Sequence, residues 1–185
     1  MEIHTPRLLL RPVTADDLAT TYAYAGNLEN TRLMMFLPDA DEAETALHLA
    51  EAEEQWRLDA PERYEFAVCL AGQHIGGVTL YMQEDRTEAE LGWVLHRDHW
   101  RRGYVTEATN AVIEFARGMG VRRIFACCDS ENVASYRTML KLGMRLCKDD
   151  GVRQNRSMGD EKRVEWTCEM FLYCGLIFDI FRHPC

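Results

Sequence analysis

Two adjacent arginines and a glycine stand directly before an amphipathic run in WRRGYVTEATNAVIEFARGMG, residues 100–120. The first turn of a helix carries unpaired backbone N–H groups and the positive end of the helix dipole, and both attract anions. Gly103 would let the backbone approach a ligand closely, and Arg101 and Arg102 would add positive charge. With a hydroxyl from Thr106, this segment predicts a site for a phosphate-type anion. The simpler interpretation is an ordinary helix entrance with two solvated arginines.

A second polar pair occurs further along the chain, in ENVASYRTMLKLGM. Asn132 and Ser135 share one helical face with Met139, because these residues stand at i, i+3 and i+7. The second face is apolar enough that we expect it to be the buried one, and it consists of Val133, Tyr136 and Leu140. A polar pair on an exposed face could hydrogen-bond a ligand. Alternatively, the pair only marks the capped start of an amphipathic helix.

The helices that must position these residues follow from the spacing of apolar side chains. Thr14, followed by acidic residues, begins a first helix that stops near Gly26. Asp41 and Glu44 have the spacing of a capping box at the start of a second helix. A third helix follows the arginine pair, and a fourth covers NVASYRTMLKLG.

Between the helices the sequence predicts strands, which are RLLLRPV, YEFAVCL, HIGGVTLYM, EAELGWVL, VRRIFACC, MRLCKD and VEWTCEMFLYC. The second and third flank the turn AGQ and resemble a hairpin. DGVRQNRSMGDEK is polar and interrupted by glycine, which predicts a flexible loop. This alternation of strands and helices predicts one α/β domain with a mixed sheet over residues 1–185.

The charge and hydropathy of the chain limit its partners. The 21 basic and 30 acidic residues give a net charge of −9, which argues against non-specific nucleic-acid binding and suits an amine-bearing acceptor. The start, MEIHTPRLLLRPVT, has arginines inside a short apolar stretch and is therefore not a signal peptide. No apolar run approaches the roughly 20 residues of a membrane span. The nearest, MFLYCGLIFDIF, is short, contains Asp179 and predicts a buried strand.

The seven cysteines are odd in number and scattered. No CxxC pair occurs, so the sequence predicts no zinc or other metal site. Cys127 and Cys128 are neighbours whose side chains would point to opposite faces of a strand. We expect free thiols in a cytoplasmic protein.

Taken together, the ordered motifs resemble the GCN5-related N-acetyltransferase (GNAT) family. In that family a strand, an R/Q-x-x-G-x-G/A loop and a helix precede a further strand, a helix and closing strands. Here the loop aligns as WRRGYV, and NVASYRTMLKLGM is similar to the family's N-x-x-S-x-x-x-x-x-K-L-G-F pattern. TPRLLLRPVTADD and ELGWVLHRDHWRRGYVTEA resemble the subgroup named for acetylation of ribosomal protein N-termini. The likeness covers about residues 5–175. It implies a mostly antiparallel mixed sheet with a splayed central pair of strands, flanked by about four helices.

The resemblance implies transfer of an acetyl group from acetyl-CoA to a primary amine. It places the pantetheine arm along the backbone of Trp93, Val94 and Leu95, because a splayed strand leaves unpaired N–H groups that can bind an extended amide chain. One of these groups would polarise the thioester carbonyl. The CoA arm would also contact Asn132 and Ser135. The loop that would cradle the pyrophosphate consists of Arg101, Arg102, Gly103, Tyr104, Val105 and Thr106.

Direct attack by a neutral amine also needs a proton acceptor. Alternation along EAELGWVL places Glu88, Glu90 and Gly92 on one face of the strand. Glu90 is the best candidate for the base, directly or through water, because it lies closest to the carbonyl-binding stretch. The alternative is a half-exposed carboxylate that only attracts cations. His96 and His99 are weaker candidates, since histidines in loops are often only solvated.

The chain departs from the family pattern at three positions. Arg101 stands where glycine is common, and Val105 where glycine or alanine is usual, and both crowd the phosphate loop. Met139 takes the place of a tyrosine that protonates the leaving thiolate in many members. Methionine cannot donate a proton, so water or the amine proton would serve, or CoA would leave as the thiolate.

Two functions remain open at this point. An enzyme would acetylate a protein N-terminus or a small amine, in a pocket built from the first two helices, ENTRLMMFLPDADEAE and the loop at 150–163. The alternative is an acyl-CoA-binding regulatory domain with little or no turnover, which the missing tyrosine and crowded loop support. An open cleft beside Glu90 would favour the enzyme. A cleft plugged by Phe36 or Trp56 would favour the regulatory domain. We expect a monomer or homodimer with no nucleic-acid or membrane partner.

Overall fold

A computed structural model describes residues 1–172 and places eight strands in one sheet. The strands are β1 Ile3–His4, β2 Leu8–Pro12, β3 Arg63–Leu70, β4 Gln73–Met82, β5 Glu88–Leu95, β6 Arg123–Asp129, β7 Arg145–Gln154 and β8 Lys162–Phe171. Their spatial order is β1-β2-β3-β4-β5-β6-β8-β7. Among these described strands, only the β5–β6 pair is parallel. The predicted mixed, mostly antiparallel sheet is therefore confirmed.

Five α-helices accompany the sheet within the described residues. They are α1 Leu18–Ala25, α2 Leu28–Thr31, α3 Glu42–Gln55, α4 Tyr104–Gly118 and α5 Val133–Lys141. Thr14 and Asp17 form a capping box ahead of α1, and Gly26 ends that helix. Asp41 caps α3 by accepting a hydrogen bond from the backbone N–H of Glu44 at 3.0 Å. The four predicted helices are present, and the fifth, α2, is too short to show an apolar period.

Helices cover both faces of the sheet. Helix α4 packs on β2, β4 and β5, where Ala108 and Val112 are fully buried in the larger core. Helices α1 and α3 lie against β4 and β3 with a smaller core. Phe66 belongs to the larger core and Ala67 to the smaller one. Since neighbouring residues of a strand face opposite sides, the two cores lie on opposite faces.

Strands β5 and β6 separate after a short parallel contact. Pairing joins Glu88–Glu90 of β5 to Arg123–Phe125 of β6 and goes no further. On its other side, β5 stays paired with β4 along its length, up to Gly76 opposite Leu95. Residues 91–95 therefore have no partner strand on the β6 side within the described chain. The predicted splay of the central strands is confirmed.

The face of α5 that enters the core differs from the predicted one. Met139 is fully buried in the larger core, whereas Val133 and Leu140 are exposed. Tyr136 alone of the predicted apolar face packs inward, with its ring 4.8 Å from that of Trp166. The helix has only nine residues and carries at least one apolar side chain on each face, so periodicity could not decide between the faces.

The prediction of a flexible loop at DGVRQNRSMGDEK is wrong over the first part of that segment. Strand β7 continues through Gln154 and pairs with β8, with register shifts between Leu146 and Gly151. A short 3-10 turn, Arg156–Met158, then leads toward β8. Polar residues form this strand because it lies at the sheet edge, where most of its side chains face solvent.

The C-terminal predictions extend beyond what the structure describes. Strand β8 confirms the predicted closing strand up to Phe171, and the rest of MFLYCGLIFDIF lies outside the described residues. Within residues 1–172 the thiols are free, at Cys69, Cys127, Cys128, Cys147 and Cys168. Cys128 is buried and Cys127 half-buried, as opposite faces of β6 require. None of the helices in this part of the chain is long and apolar enough to cross a membrane.

Gly76 holds β4 close to the end of β5. A Cβ there would lie 2.3 Å from the backbone oxygen of Val94 and 2.7 Å from the Cα of Leu95. We expect Gly76→Ala to lower the free energy of unfolding by about 2 kcal/mol, as overpacking against backbone does. Gly77→Ala is the matched control, because its Cβ would have no contact closer than 3.4 Å. Urea denaturation of both variants measures the difference, and equal costs would contradict this close approach.

Candidate active site

The segment before α4 bends through two left-handed residues. Arg101 has a φ of +60° and Gly103 a φ of +79°. Gly103 is the N-cap of α4, so the helix begins at Tyr104 and its first-turn N–H groups follow the glycine directly. The side chains of Arg101 and Arg102 are exposed, without an ion pair to any described residue. Their positive charges are thus free to attract an anion.

The two crowding residues of the loop do not fill its exposed side. Val105 packs against the larger core, so its branched side chain is directed toward the sheet. Arg101 is exposed, and its left-handed backbone costs roughly 1 kcal/mol for a residue other than glycine. Thr106 is half-buried in the first turn. The departures from the family pattern therefore leave the helix entrance accessible.

The unpaired edge of β5 leads into this loop. Trp93 and Val94 are half-buried and Leu95 is buried, and all three pair with β4 on one side only. The carbonyl oxygen of Leu95 accepts hydrogen bonds from Trp100 Nε1 at 2.7 Å and from Asn30 Nδ2 at 3.2 Å. That carbonyl is thus already occupied, and the backbone groups open to a ligand lie nearer Trp93. The structure brings the free strand edge and the loop predicted to bind an anion together at one end of β5.

Glu90 lies at the base of the splay, on the face opposite the larger core. It is the last residue of β5 that pairs with β6, where it stands opposite Phe125. Burial raises the pKa of Glu90 above its ordinary value, the carboxylate of Glu165 raises it further, and the Arg153 guanidinium partly offsets both. A half-buried carboxylate with a raised pKa is a better proton acceptor than a solvated one.

Three strands beyond β5 contribute side chains near Glu90 that the sequence analysis missed. Cys127 lies two residues beyond the end of the parallel contact, and its Sγ is 3.4 Å from Thr167 Oγ1. Burial raises the pKa of the Cys127 thiol to about 11, so it stays protonated at neutral pH. Arg153 is buried and its Nη1 lies 3.4 Å from Glu165 Oε2. Only the pairing of β6, β8 and β7 assembles this group, and no local sequence signal marks it.

Arg153 continues into a buried polar network. Its Nε donates to Asn155 Oδ1 at 2.9 Å, and Asn155 Nδ2 donates to Asp129 Oδ2 at 2.6 Å. Asn155 and Asp129 are both fully buried. The network fixes the Arg153 guanidinium, since each buried polar group in it has a partner.

The connection from β7 to β8 meets the segment after α2. Arg156 Nη2 lies 3.0 Å from Glu44 Oε2, and Ser157 Oγ donates to the carbonyl oxygen of Arg32 at 2.8 Å. An open cavity of about 410 Å³ lies between the two segments, lined by Met35, Phe36, Gln154, Arg156, Gly159 and Asp160. Phe36 is 75% exposed and therefore does not plug this cleft. Trp56 packs instead against Tyr64 and Phe66.

The predicted ligand residues of α5 lie at its capped start, and Met139 lies on its buried face. Asn132 is the N-cap, and its Oδ1 accepts from the Ser135 backbone N–H at 3.1 Å, as the capping interpretation predicts. Asn132 is half-buried and Ser135 borders the same helix start. Met139 is fully buried, and its thioether offers no proton donor.

The two loop histidines stand apart from the carboxylate. His96 and His99 line a smaller cavity of about 140 Å³ together with His74 and Thr20. Burial and the charge of Arg102 lower the pKa of His99. Among residues 1–172 no cluster of His, Cys, Asp or Glu is arranged to hold a metal ion.

Comparison with known proteins agrees with this geometry. Residues 7–145 match the family model described as an acetyltransferase (GNAT) domain. YnaD of Bacillus subtilis (strain 168), described as an uncharacterized N-acetyltransferase, is 30% identical over 150 residues, which cover 78% of this chain and 83% of YnaD.

Two solved structures share the fold. A GNAT-family acetyltransferase from Bacillus anthracis superposes with a TM-score of 0.78 at 24% identity, covering 92% of this chain and 98% of that one. The microcin C7 self-immunity acetyltransferase MccE, solved with acetyl-CoA and AMP, gives a TM-score of 0.77 at 15% identity, covering 91% and 94%. Because the GNAT domain model matches residues 7–145 and YnaD is 30% identical over most of both chains, and because the sheet has the splayed strands expected of this fold, this chain belongs to the GNAT family of acetyltransferases.

Proposed function

We propose that this protein transfers an acetyl group from acetyl-CoA to a primary amine by direct attack in a ternary complex. The observation that carries the proposal is the free β5 edge beside the N-terminus of α4. Acetyl-CoA supplies the acetyl group as a thioester, and the two features match its extended amide arm and its pyrophosphate. We further propose that residues 1–185 form a single acetyltransferase domain.

The β5 edge and the loop would hold the cosubstrate. The backbone N–H and C=O of Trp93 would bind the pantetheine amides as a neighbouring strand would. Those of Val94 point toward β4, because hydrogen-bonded pairs alternate along β5, so Val94 would contribute only through its side chain. The N–H groups of Gly103 to Thr106 and the charges of Arg101 and Arg102 would bind the pyrophosphate. An N–H on the free edge would also stabilise the negative charge that develops on the thioester oxygen.

Glu90 would accept the proton of the amine, directly or through water. Its position at the base of the splay supports this role, since the thioester carbonyl would lie on the same strand edge. The raised pKa still leaves the carboxylate able to receive a proton near neutral pH. With Met139 buried, protonation of the leaving thiolate would fall to water or to the proton taken from the amine, unless CoA leaves as the thiolate.

The acceptor would enter on the face that carries Glu90. The open cavity between Phe36 and Arg156 supports an acceptor larger than a bare amine, either a protein N-terminus or a small molecule. The resemblance to the ribosomal subgroup favours the peptide, and the net charge of −9 suits either cationic group. The exposed Phe36 supports turnover over the alternative, a regulatory domain that holds acyl-CoA behind a plugged cleft.

Calorimetric titration with acetyl-CoA, followed by measurement of thiol release, tests the proposal. The acceptors would be N-terminal peptides, polyamines, amino acids and amine-bearing antibiotics. We expect binding, and thiol release with one of these classes. Binding without acceptor-dependent release from any of them would favour the regulatory domain. Absence of binding would mean that Arg101 and Arg102 are only solvated residues at the start of a helix.

A further inference from the structure

The side chain of Arg7 lies across the loop that begins α4. It belongs to the segment between β1 and β2, far from the loop in sequence. Its Nη1 donates to the carbonyl oxygen of Arg102 at 3.0 Å, and its guanidinium carbon lies 4.6 Å from the centre of the Tyr104 ring. The position of a Cβ on Gly103 would be 3.5 Å from Arg7 Nη2. One arginine thus contacts the residues on both sides of Gly103 and lies close to the glycine itself.

A carboxylate in the first turn of α4 holds this arginine in place. Glu107 Oε2 accepts from Arg7 Nε at 2.6 Å, and Oε1 accepts from the Arg7 backbone N–H at 2.9 Å. Thr5 Oγ1 also donates to Glu107 Oε1, at 2.6 Å. Although burial opposes it, the hydrogen bonds from Thr5 and Arg7 lower the pKa of Glu107. The Glu107 side chain is only 16% exposed, so the pair is shielded on one side.

The contact with Arg102 determines how the loop presents its donors. In a planar trans peptide the C=O and the following N–H point in opposite directions. Since Arg7 attracts the Arg102 carbonyl, the N–H of Gly103 in the same peptide points away from Arg7. That direction is the one from which an anion can approach without meeting the arginine. Arg101 and Gly103, which flank Arg102, both have left-handed backbone, a conformation that persists only where surrounding contacts hold it. The hydrogen bond from Arg7 supplies such a contact for the peptide between Arg102 and Gly103.

The same contacts remove an electrostatic conflict. The helix dipole stabilises a carboxylate in the first turn, but that carboxylate repels an anionic ligand at the same end of the helix. Arg7 and Thr5 direct both oxygens of Glu107 toward β1 and β2, and the arginine neutralises their charge. The N-terminus of α4 is thereby left with a net attraction for phosphate.

We propose that Arg7 and Glu107 form a clamp that orients the Arg102–Gly103 peptide for the CoA pyrophosphate without touching the ligand. Arg7 is therefore a positioning residue. The inference rests on the proposed function, because it assumes that acetyl-CoA binds at this loop. It adds a restraint from the N-terminal segment that the loop motif itself does not contain.

Affinities for acetyl-CoA and for S-acetylpantetheine, which lacks the pyrophosphate, test the clamp. We expect Arg7→Gln to weaken acetyl-CoA about 10-fold, the effect of one lost charge-assisted contact, and to leave S-acetylpantetheine unchanged. The KM for acetyl-CoA should rise while kcat at saturation stays near that of the wild type. Arg117→Gln is the matched control, since Arg117 lies on α4, its side chain is 43% exposed against 45% for Arg7, and it pairs with Glu114. Its affinities should not change.

Glu107→Gln separates orientation from simple charge. Coulomb attraction alone predicts tighter binding of acetyl-CoA when this carboxylate is removed, whereas the clamp predicts weaker binding because Arg7 loses its anchor. Tighter binding, or equal losses for both ligands in Arg7→Gln, would overturn the clamp. If the wild type fails to bind acetyl-CoA, the proposed function fails with it. If the wild type binds and both variants match it, only the clamp fails.

Discussion

Replacing Gly103 with proline should reduce the affinity for acetyl-CoA by at least about 100-fold. Gly103 has a φ of +79°, and a proline ring holds φ near −65°. The substitution also removes the Gly103 N–H and restricts Arg102 to extended conformations. A misplaced proline costs about 3 kcal/mol or more, and each 1.4 kcal/mol of binding energy is a factor of ten. Calorimetric titration with acetyl-CoA measures the loss.

A second glycine, just beyond the other end of α4, supplies the control for this variant. Gly120 follows the C-terminal end of α4 with a φ of +88°, and its N–H donates to the Arg117 carbonyl oxygen at 3.0 Å. Gly120→Pro should therefore lower stability by a similar amount and leave the affinity for acetyl-CoA unchanged. Retained affinity in Gly103→Pro would mean that the anion binds elsewhere. A similar loss of affinity in both variants would mean that Gly103→Pro weakens binding only because it destabilises the fold.

The parts of the site that follow one another in sequence could be predicted from the sequence. Strand β5 has the predicted bounds, because EAELGWVL alternates and is framed by polar turns. Gly103 is predicted to stand immediately before a helix, and α4 begins at Tyr104. The splay itself has no signal in these residues, since it depends on where β6 stops pairing. It could be expected only from the resemblance to the family.

The parts that depend on contacts between distant strands could not be predicted. Arg153 lies in a polar stretch that reads as loop, yet it pairs with Glu165 because β7 and β8 are neighbours. Arg7 lies ninety-five positions before Arg102 and has no local pattern that relates the two. Periodicity also failed on α5, where packing under the sheet selected Met139 for the core over Val133 and Leu140. Tertiary contacts override local preference in each case.

Glu90→Gln should lower kcat by about 100-fold with little change in the affinity for acetyl-CoA. A positioned general base contributes about 10²–10⁴ to the rate, and an amide cannot accept the proton. Because burial raises the pKa of Glu90, the wild-type rate should fall as the pH drops through a value above that of an ordinary glutamate. That acidic limb should be absent in Glu90→Gln, where only the titration of the acceptor amine remains. Initial rates of thiol release across pH measure both effects.

Two measurements distinguish a catalytic role of Glu90 from a structural one: the stability of Glu90→Gln, and the stability and rate of a variant at the neighbouring carboxylate Glu88. A carboxyl group whose pKa is raised by folding adds stability at low pH and loses that contribution as the pH rises through its folded value. Glu90→Gln should therefore not lower the Tm at neutral pH. Glu88→Gln is the matched control, two residues away on the same face, where Glu88 Oε2 lies 2.6 Å from Arg123 Nη1. That variant should lose up to about 1 kcal/mol of stability and keep its rate. Equal rates for wild type and Glu90→Gln at every pH would leave Glu90 as a carboxylate that only attracts the cationic acceptor.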